Sequence, residues 1–184
     1  MKLKEHKTVI YCAGLLIILS VWVIIFAGAL SAFSLFRTAL LIILSYIAMV
    51  IDINTKQIPN ILILVMIAGW LFLITPMMFV NAESGVKILV DSIYGLLLGG
   101  GLFLLVYLLS RKGLGGGDVK FMSAAGLYLG FPGTIPVILF GTVLAALTGL
   151  ILILLKKINR KDSIPLAPFL FIGIIITVFL SGGQ

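Results

Sequence analysis

The sequence predicts an all-α fold: a polytopic membrane helix bundle with seven transmembrane segments, the fifth of them short. Three observations predict it. Of the 184 residues, 62% are apolar and only 10% charged, at a mean hydropathy of +1.32. A soluble domain is about 45–50% apolar and about 25% charged, so there is too little polar surface here to coat a globule in water. The apolar residues fall into runs long enough to cross the bilayer, which takes about 20 residues of helix for about 30 Å of hydrocarbon. Lys and Arg gather in short tufts between those runs, so the net charge of +7 reads as membrane topology rather than a nucleic-acid surface.

The first run covers residues 8–30, behind the basic stretch Met1-Lys2-Leu3-Lys4-Glu5-His6-Lys7. Together with Ala27-Gly28-Ala29 it has the outline of a secretory signal. It exceeds the usual apolar core of about 7–15 residues, however, and another run follows directly, so it reads as a span. The second covers residues 33–51, with Arg37 near its start placed to snorkel outward. The third and fourth cover residues 58–80 and 88–109. A short fifth run, residues 119–131, ends at Phe131-Pro132-Gly133, and the last two cover residues 134–155 and 164–180.

The fifth rises only about 20 Å as a helix, so charge placement decides whether it crosses. If all seven cross from a cytoplasmic N-terminus, Lys2, Lys4, Lys7, Lys56, Arg111, Lys112, Lys120, Lys156, Lys157, Arg160 and Lys161 share one side. Only Arg37 and Lys87 face the other, eleven against two. Were residues 119–131 not to cross, the split would be seven against six. The positive-inside bias selects seven crossings, the fifth starting below the surface where neighbouring helices shelter its end. The whole of residues 1–184 reads as one membrane domain without the inverted repeat common in transporters.

The few polar side chains carry the chemistry. One cysteine (Cys12) and one histidine (His6) exclude a disulfide framework, a CxxC site and a His-based metal centre. Glu5, Glu83 and Asp162 read as solvated loop charges, and Asp91 as a cap or interface residue at the outer start of the fourth span. Asp52 stands at the cytoplasmic end of the second span, and alone reads as an interfacial charge ending a helix. Asp118 closes Gly113-Leu114-Gly115-Gly116-Gly117-Asp118 at the head of the fifth, and alone reads as a helix N-cap. Together they mean more, because the topology puts both at one membrane face. Ionisable groups at membrane depth are costly and usually functional. Two close carboxyls cannot both ionise, which is what general acid–base activation of water requires.

The glycines around residues 113–117 remove side chains beside Asp118, leaving backbone that an extended peptide could lie against. A phosphate cradle needs a Gly-Lys-Ser/Thr ending after a strand, and neither is present. Gly95-Leu96-Leu97-Leu98-Gly99 and Gly126-Leu127-Tyr128-Leu129-Gly130 predict close helix packing within the bundle, with dimerisation the weaker alternative. Trp22 and Trp70 read as packing or interface anchors.

Asp52 followed by Ile58-Pro59-Asn60, then Gly115-Gly116-Gly117-Asp118-Val119-Lys120, resembles the type IV prepilin peptidase family of GxGD intramembrane aspartyl proteases. Ile164-Pro165-Leu166-Ala167-Pro168-Phe169 looks like the family's Pro-Phe element, and Asp91 with Gly95 and Gly99 is similar to its span before the GxGD. The resemblance covers about residues 38–180, leaving residues 8–30 as an extra N-terminal span. It implies Asp52 and Asp118 as the catalytic pair, with Pro59, Asn60, Gly115, Gly116, Gly117 and Lys120 supporting the motifs. Lys120 reads equally as a positive-inside anchor. The implied substrate is a prepilin-like precursor in the bilayer, cut at its short basic leader on the cytoplasmic face of the cell membrane, with no metal, cofactor or nucleic acid.

Larger members carry an insert with two CxxC pairs and also N-methylate the new N-terminus. With one cysteine and no loop of that length, this chain resembles the compact, peptidase-only type that serves tight-adherence pili, competence pseudopili or archaeal flagella. The Tyr-Asp and Pro-Ala-Leu elements of presenilin-like proteases are absent, since Ile51-Asp52 and Pro165-Leu166-Ala167 stand here. Two other readings remain. A small ion- or proton-coupled transporter subunit would use the aspartates as carriers near the bilayer midplane, and an assembly scaffold would not need them.

Overall fold

The computed structural model describes residues 2–26, 31–110, 113–157 and 164–180. The Ala27-Gly28-Ala29 stretch, Arg111, Lys112 and the tuft at residues 160–162 lie outside them. Every element among the described residues is helical: α1 (Lys2–Phe26), α2 (Ala32–Thr55), α3 (Asn60–Val80), α4 (Ala82–Leu109), α5 (Gly116–Leu154) and α6 (Ala167–Leu180). Four of them, α2 to α5, are long and apolar enough to cross a membrane, and Ile10–Val23 and Ala167–Leu180 are shorter apolar helices. Large apolar side chains such as Phe72, Phe79, Leu97 and Leu108 point outward. With its hydrocarbon on the outside, this is a multi-pass membrane protein.

Local chemistry sets the helix ends. The Ser31 side chain accepts the Ser34 N–H at the start of α2. The helix stops at Lys56, which takes a left-handed φ of 52°. Pro59 then biases Ile58 towards extended backbone and stands as the N-cap of α3. At the start of α4 the Asn81 side chain accepts the Ser84 N–H at 3.1 Å. The fourth helix therefore begins at Ala82, before the run at residues 88–109, because a side-chain cap lets it absorb Glu83 and Lys87.

The fifth and sixth runs of the sequence form one continuous element with a break. Gly130 has φ 66° and ψ −177° inside α5, a conformation that glycine adopts without a Cβ penalty. The chain folds back there. Thr142 and Ala145 line the same small cavity as Leu114, although a straight helix from Gly116 to Ala145 would separate its ends by about 44 Å. Pro132 sits in the first turn after the break, where its missing N–H costs nothing.

The two halves of α5 pack against different partners. Along the first half, a Cβ on Gly95 would run into the Gly126 carbonyl, and one on Gly126 into the Gly95 carbonyl. The small residues thus bring α4 and α5 backbones into contact inside one chain, as membrane helices do in place of a hydrophobic driving force. Along the second half, a Cβ on Gly173 would lie 2.8 Å from the Val137 carbonyl oxygen, which seats α6. Met66, Phe121, Tyr128, Leu170 and Ile174 fill the centre. Trp22 and Trp70 are buried there too, so they act in packing. The Tyr128 hydroxyl donates to the Met66 carbonyl at 2.5 Å and that of Tyr46 to the Tyr11 carbonyl at 2.7 Å, tying α5 to α3 and α2 to α1.

This packing gives the bundle two ends. One gathers the end of α2 and the starts of α3, α5 and α6; the other gathers the start of α2, the first turns of α4, the Gly130 break and the end of α6.

Candidate active site

Asp52 lies in the last turn of α2 and is only 4% exposed. Its Oδ2 accepts the backbone N–H of Ala167 at 3.0 Å, across 115 residues of sequence. The first N–H groups of a helix have no partner within it, and no side chain at Ile164, Pro165 or Leu166 can cap α6. Asp52 does so from a neighbouring helix, where the positive end of the helix dipole faces it.

Asp118 is the third residue of α5, not its cap. Gly115 holds the N-cap position and offers no side chain. Asp118 turns back towards Gly115, whose N–H lies within its reach, as an acidic residue does in a capping box. It is half-buried. Both carboxyls stand at one end of the bundle, within range for the charge of Asp52 to act on Asp118.

Gly117 brings the start of α5 to the end of α2. A Cβ there would lie 3.3 Å from Ile58 Cβ and 3.4 Å from its backbone nitrogen, so the start of α5 rests directly on the connection that leaves α2. Gly116 does the opposite: a Cβ there would meet nothing within 4 Å, leaving bare, exposed backbone two residues from Asp118. Among the described glycines only Gly130 has a positive φ. The run at residues 115–117 therefore serves close approach rather than unusual backbone angles.

The remaining candidates stand at the same end. Lys120 donates from Nζ to Oδ1 of Asn60 at 2.9 Å, bridging α5 to the first residue of α3, next to Pro59. The link is exposed on the surface and fixes the α3 start beside Asp118. This gives Lys120 a definite contact besides its topological charge.

Asp91 stands elsewhere, and its position departs from the sequence reading. It lies well inside α4 rather than at its start. Its Oδ1 accepts the N–H of Phe131 at 3.1 Å, the first residue after the Gly130 break, and a Cβ on Gly130 would run into its Oδ2. Asp91 thus caps the second half of α5 from across the bundle. The sequence held one signal for this, a glycine before Phe131-Pro132, but a partner from another helix cannot be read from a linear pattern. Ala167 was missed for the same reason.

Comparison with known proteins falls on this region. The profile described as the type IV leader peptidase family matches residues 39–150, which take in Asp52, Asp91, Asp118 and the Gly130 break. The prepilin leader peptidase/N-methyltransferase of Escherichia coli (strain K12) is 32% identical over 134 residues, 70% of this chain and 56% of that protein. That of Aeromonas hydrophila is 29% identical over 151 residues, 79% of this chain and 48% of that protein. The chain spans about half the length of these curated relatives. No solved structure matches.

Proposed function

Because the chain belongs to the type IV leader peptidase family, we propose that it is an intramembrane aspartyl endopeptidase acting on prepilin-like precursors, with Asp52 and Asp118 as its catalytic pair. The observation that carries this reading is the placement of those two carboxyls at one end of the bundle, within range of each other's charge and beside the open backbone of Gly116.

One carboxyl enters ionised and takes a proton from water as the water oxygen attacks the scissile carbonyl carbon. The other, protonated, gives its proton to the carbonyl oxygen, producing a gem-diol. Collapse of the diol breaks the C–N bond. The amine leaves with a proton from the first carboxyl, the diol returns one to the second, and the pair is restored. The Ala167 N–H holds Asp52 in one orientation throughout, and the Lys120–Asn60 link holds the edge past which the substrate enters.

Seven crossings support the placement of the pair at the cytoplasmic face. Folded at Gly130, α5 contributes two of them, and its first half is only about 21 Å long. Eleven of thirteen basic residues then lie on the side of Asp52 and Asp118, and the short basic leader of a precursor would meet its carboxyls there. The N-methyltransferase named for the relatives is not proposed for this chain, whose single cysteine cannot form two CxxC pairs. A transporter would hold its acids near the midplane; Asp52 and Asp118 occupy terminal turns at one end.

The test is cleavage of a prepilin-like precursor in membranes carrying Asp118→Asn. We expect a loss of at least about 100-fold, the usual share of acid–base catalysis; processing at the wild-type rate refutes the assignment.

A further inference from the structure

At the end of the bundle away from Asp52 lies a cavity of about 680 Å³, a size typical of small-ligand sites. The peptidase mechanism does not use it. Arg37, Lys87 and Asp91 line it together with the first turn of the second half of α5, at Pro132 and Gly133. We infer that this cavity binds a phosphate-bearing anion, with the headgroup of an anionic phospholipid as its occupant.

The charge balance points there. Two cations and one carboxylate face the space, and the carboxylate is already engaged. Asp91 accepts the Phe131 N–H at 3.1 Å and its charge acts on Arg37, so the three groups together leave one positive charge at the cavity. The start of a helix adds the positive end of its dipole to the same wall, a favourable surroundings for phosphate. Arg37 lines the cavity with its guanidinium 5.8 Å from the centre of the Phe33 ring, and its planar donor fork matches phosphate oxygens. Lys87 stands exposed at the rim.

The surroundings favour a lipid as the source of the phosphate. Leu41, Ile88 and Val178 line the same cavity as the cations, and the bundle around it is apolar on the outside. A diacyl lipid could seat its headgroup among the charges while its tails run down the outward-facing side chains.

The experiment measures thermal unfolding of the purified full chain in detergent, titrated with phosphatidylglycerol or, separately, phosphatidylcholine. Wild type should be stabilised by phosphatidylglycerol at concentrations about tenfold or more below those needed for phosphatidylcholine. Lys87→Gln should lose about threefold of that preference, and Arg37→Gln with Lys87→Gln nearly all of it, as removal of charge-assisted hydrogen bonds predicts. Lys87 is exposed, so its variant folds and decides the matter even if the double variant does not. Inorganic phosphate at millimolar concentration separates the sources: failure to compete identifies the lipid, and competition identifies a soluble phosphate ligand in the same cavity. Equal response of wild type to both lipids without any effect of phosphate, or a preference unchanged in Lys87→Gln, overturns the inference.

Discussion

Both ends of the bundle use the same device and surround it differently. Asp52 accepts the Ala167 N–H where α6 begins, and Asp91 accepts the Phe131 N–H where α5 restarts. Each is a carboxylate on one helix capping another across the bundle. Beside Asp52 stands a second carboxyl, Asp118, next to open glycine backbone. Beside Asp91 stands Arg37, with Lys87 at the rim of a cavity. A carboxylate at membrane depth is thus accounted for at both ends by helix capping alone, and burial by itself does not identify a catalytic acid. On the proposed reading the second acid makes the difference: it would let one end hand protons to and from water, while cations would fit the other for an anion.

The comparison can be broken most severely where the two ends share a wall. Gly126→Ala drives a Cβ into the Gly95 carbonyl, with backbone on both sides and no side chain to yield. We expect about 3 kcal/mol of destabilisation, read by thermal melting, together with loss of function at both ends. A smaller effect should separate the caps. Replacing Asp91 by Ala leaves the Phe131 N–H without its partner and should cost about 1–3 kcal/mol, whereas Asp91→Asn keeps an acceptor oxygen and should melt close to wild type. Precursor cleavage per folded molecule should stay within about threefold of wild type in both, since general acid–base catalysis at the opposite end does not involve Asp91. The smallest change sharpens the account of the Asp52 end. Lys120→Met removes the exposed bond to Asn60 and should cost about 0.5 kcal/mol, with cleavage reduced less than about tenfold because Lys120 positions the α3 start and exchanges no proton with substrate.

Much of this was legible in the sequence, and what was hidden has a common physical cause. Apolar runs gave the helices, and the charge tufts predict one face for Asp52 and Asp118, near which Gly117 packs on Ile58. The GxxxG pairs predicted close packing, and Gly95 meets Gly126 within the chain. The break at Gly130 falls where the sequence ends its fifth run, at Phe131-Pro132-Gly133, but hydropathy does not show that a single glycine makes it. Hydropathy also mistook the start of α4, because a cap at Asn81 lets a helix extend through polar residues. Both cross-bundle caps stayed hidden since their donors, Ala167 and Phe131, are backbone groups with no side-chain signature. Arg37 reaches towards the start of α2, over the Phe33 ring, as its place near the start of the second run predicts.

The most direct measurement replaces each capping acid by its amide and follows precursor cleavage in the same membranes, normalised to folded protein. Asparagine keeps an oxygen for the Ala167 or Phe131 N–H but cannot carry a proton between water and a peptide bond. Asp52→Asn should melt near wild type and lose at least about 100-fold in cleavage, while Asp91→Asn keeps its activity. Cleavage by Asp52→Asn at the wild-type rate, or an equal loss in both variants, would contradict the claim that the two ends differ in chemistry and not only in place.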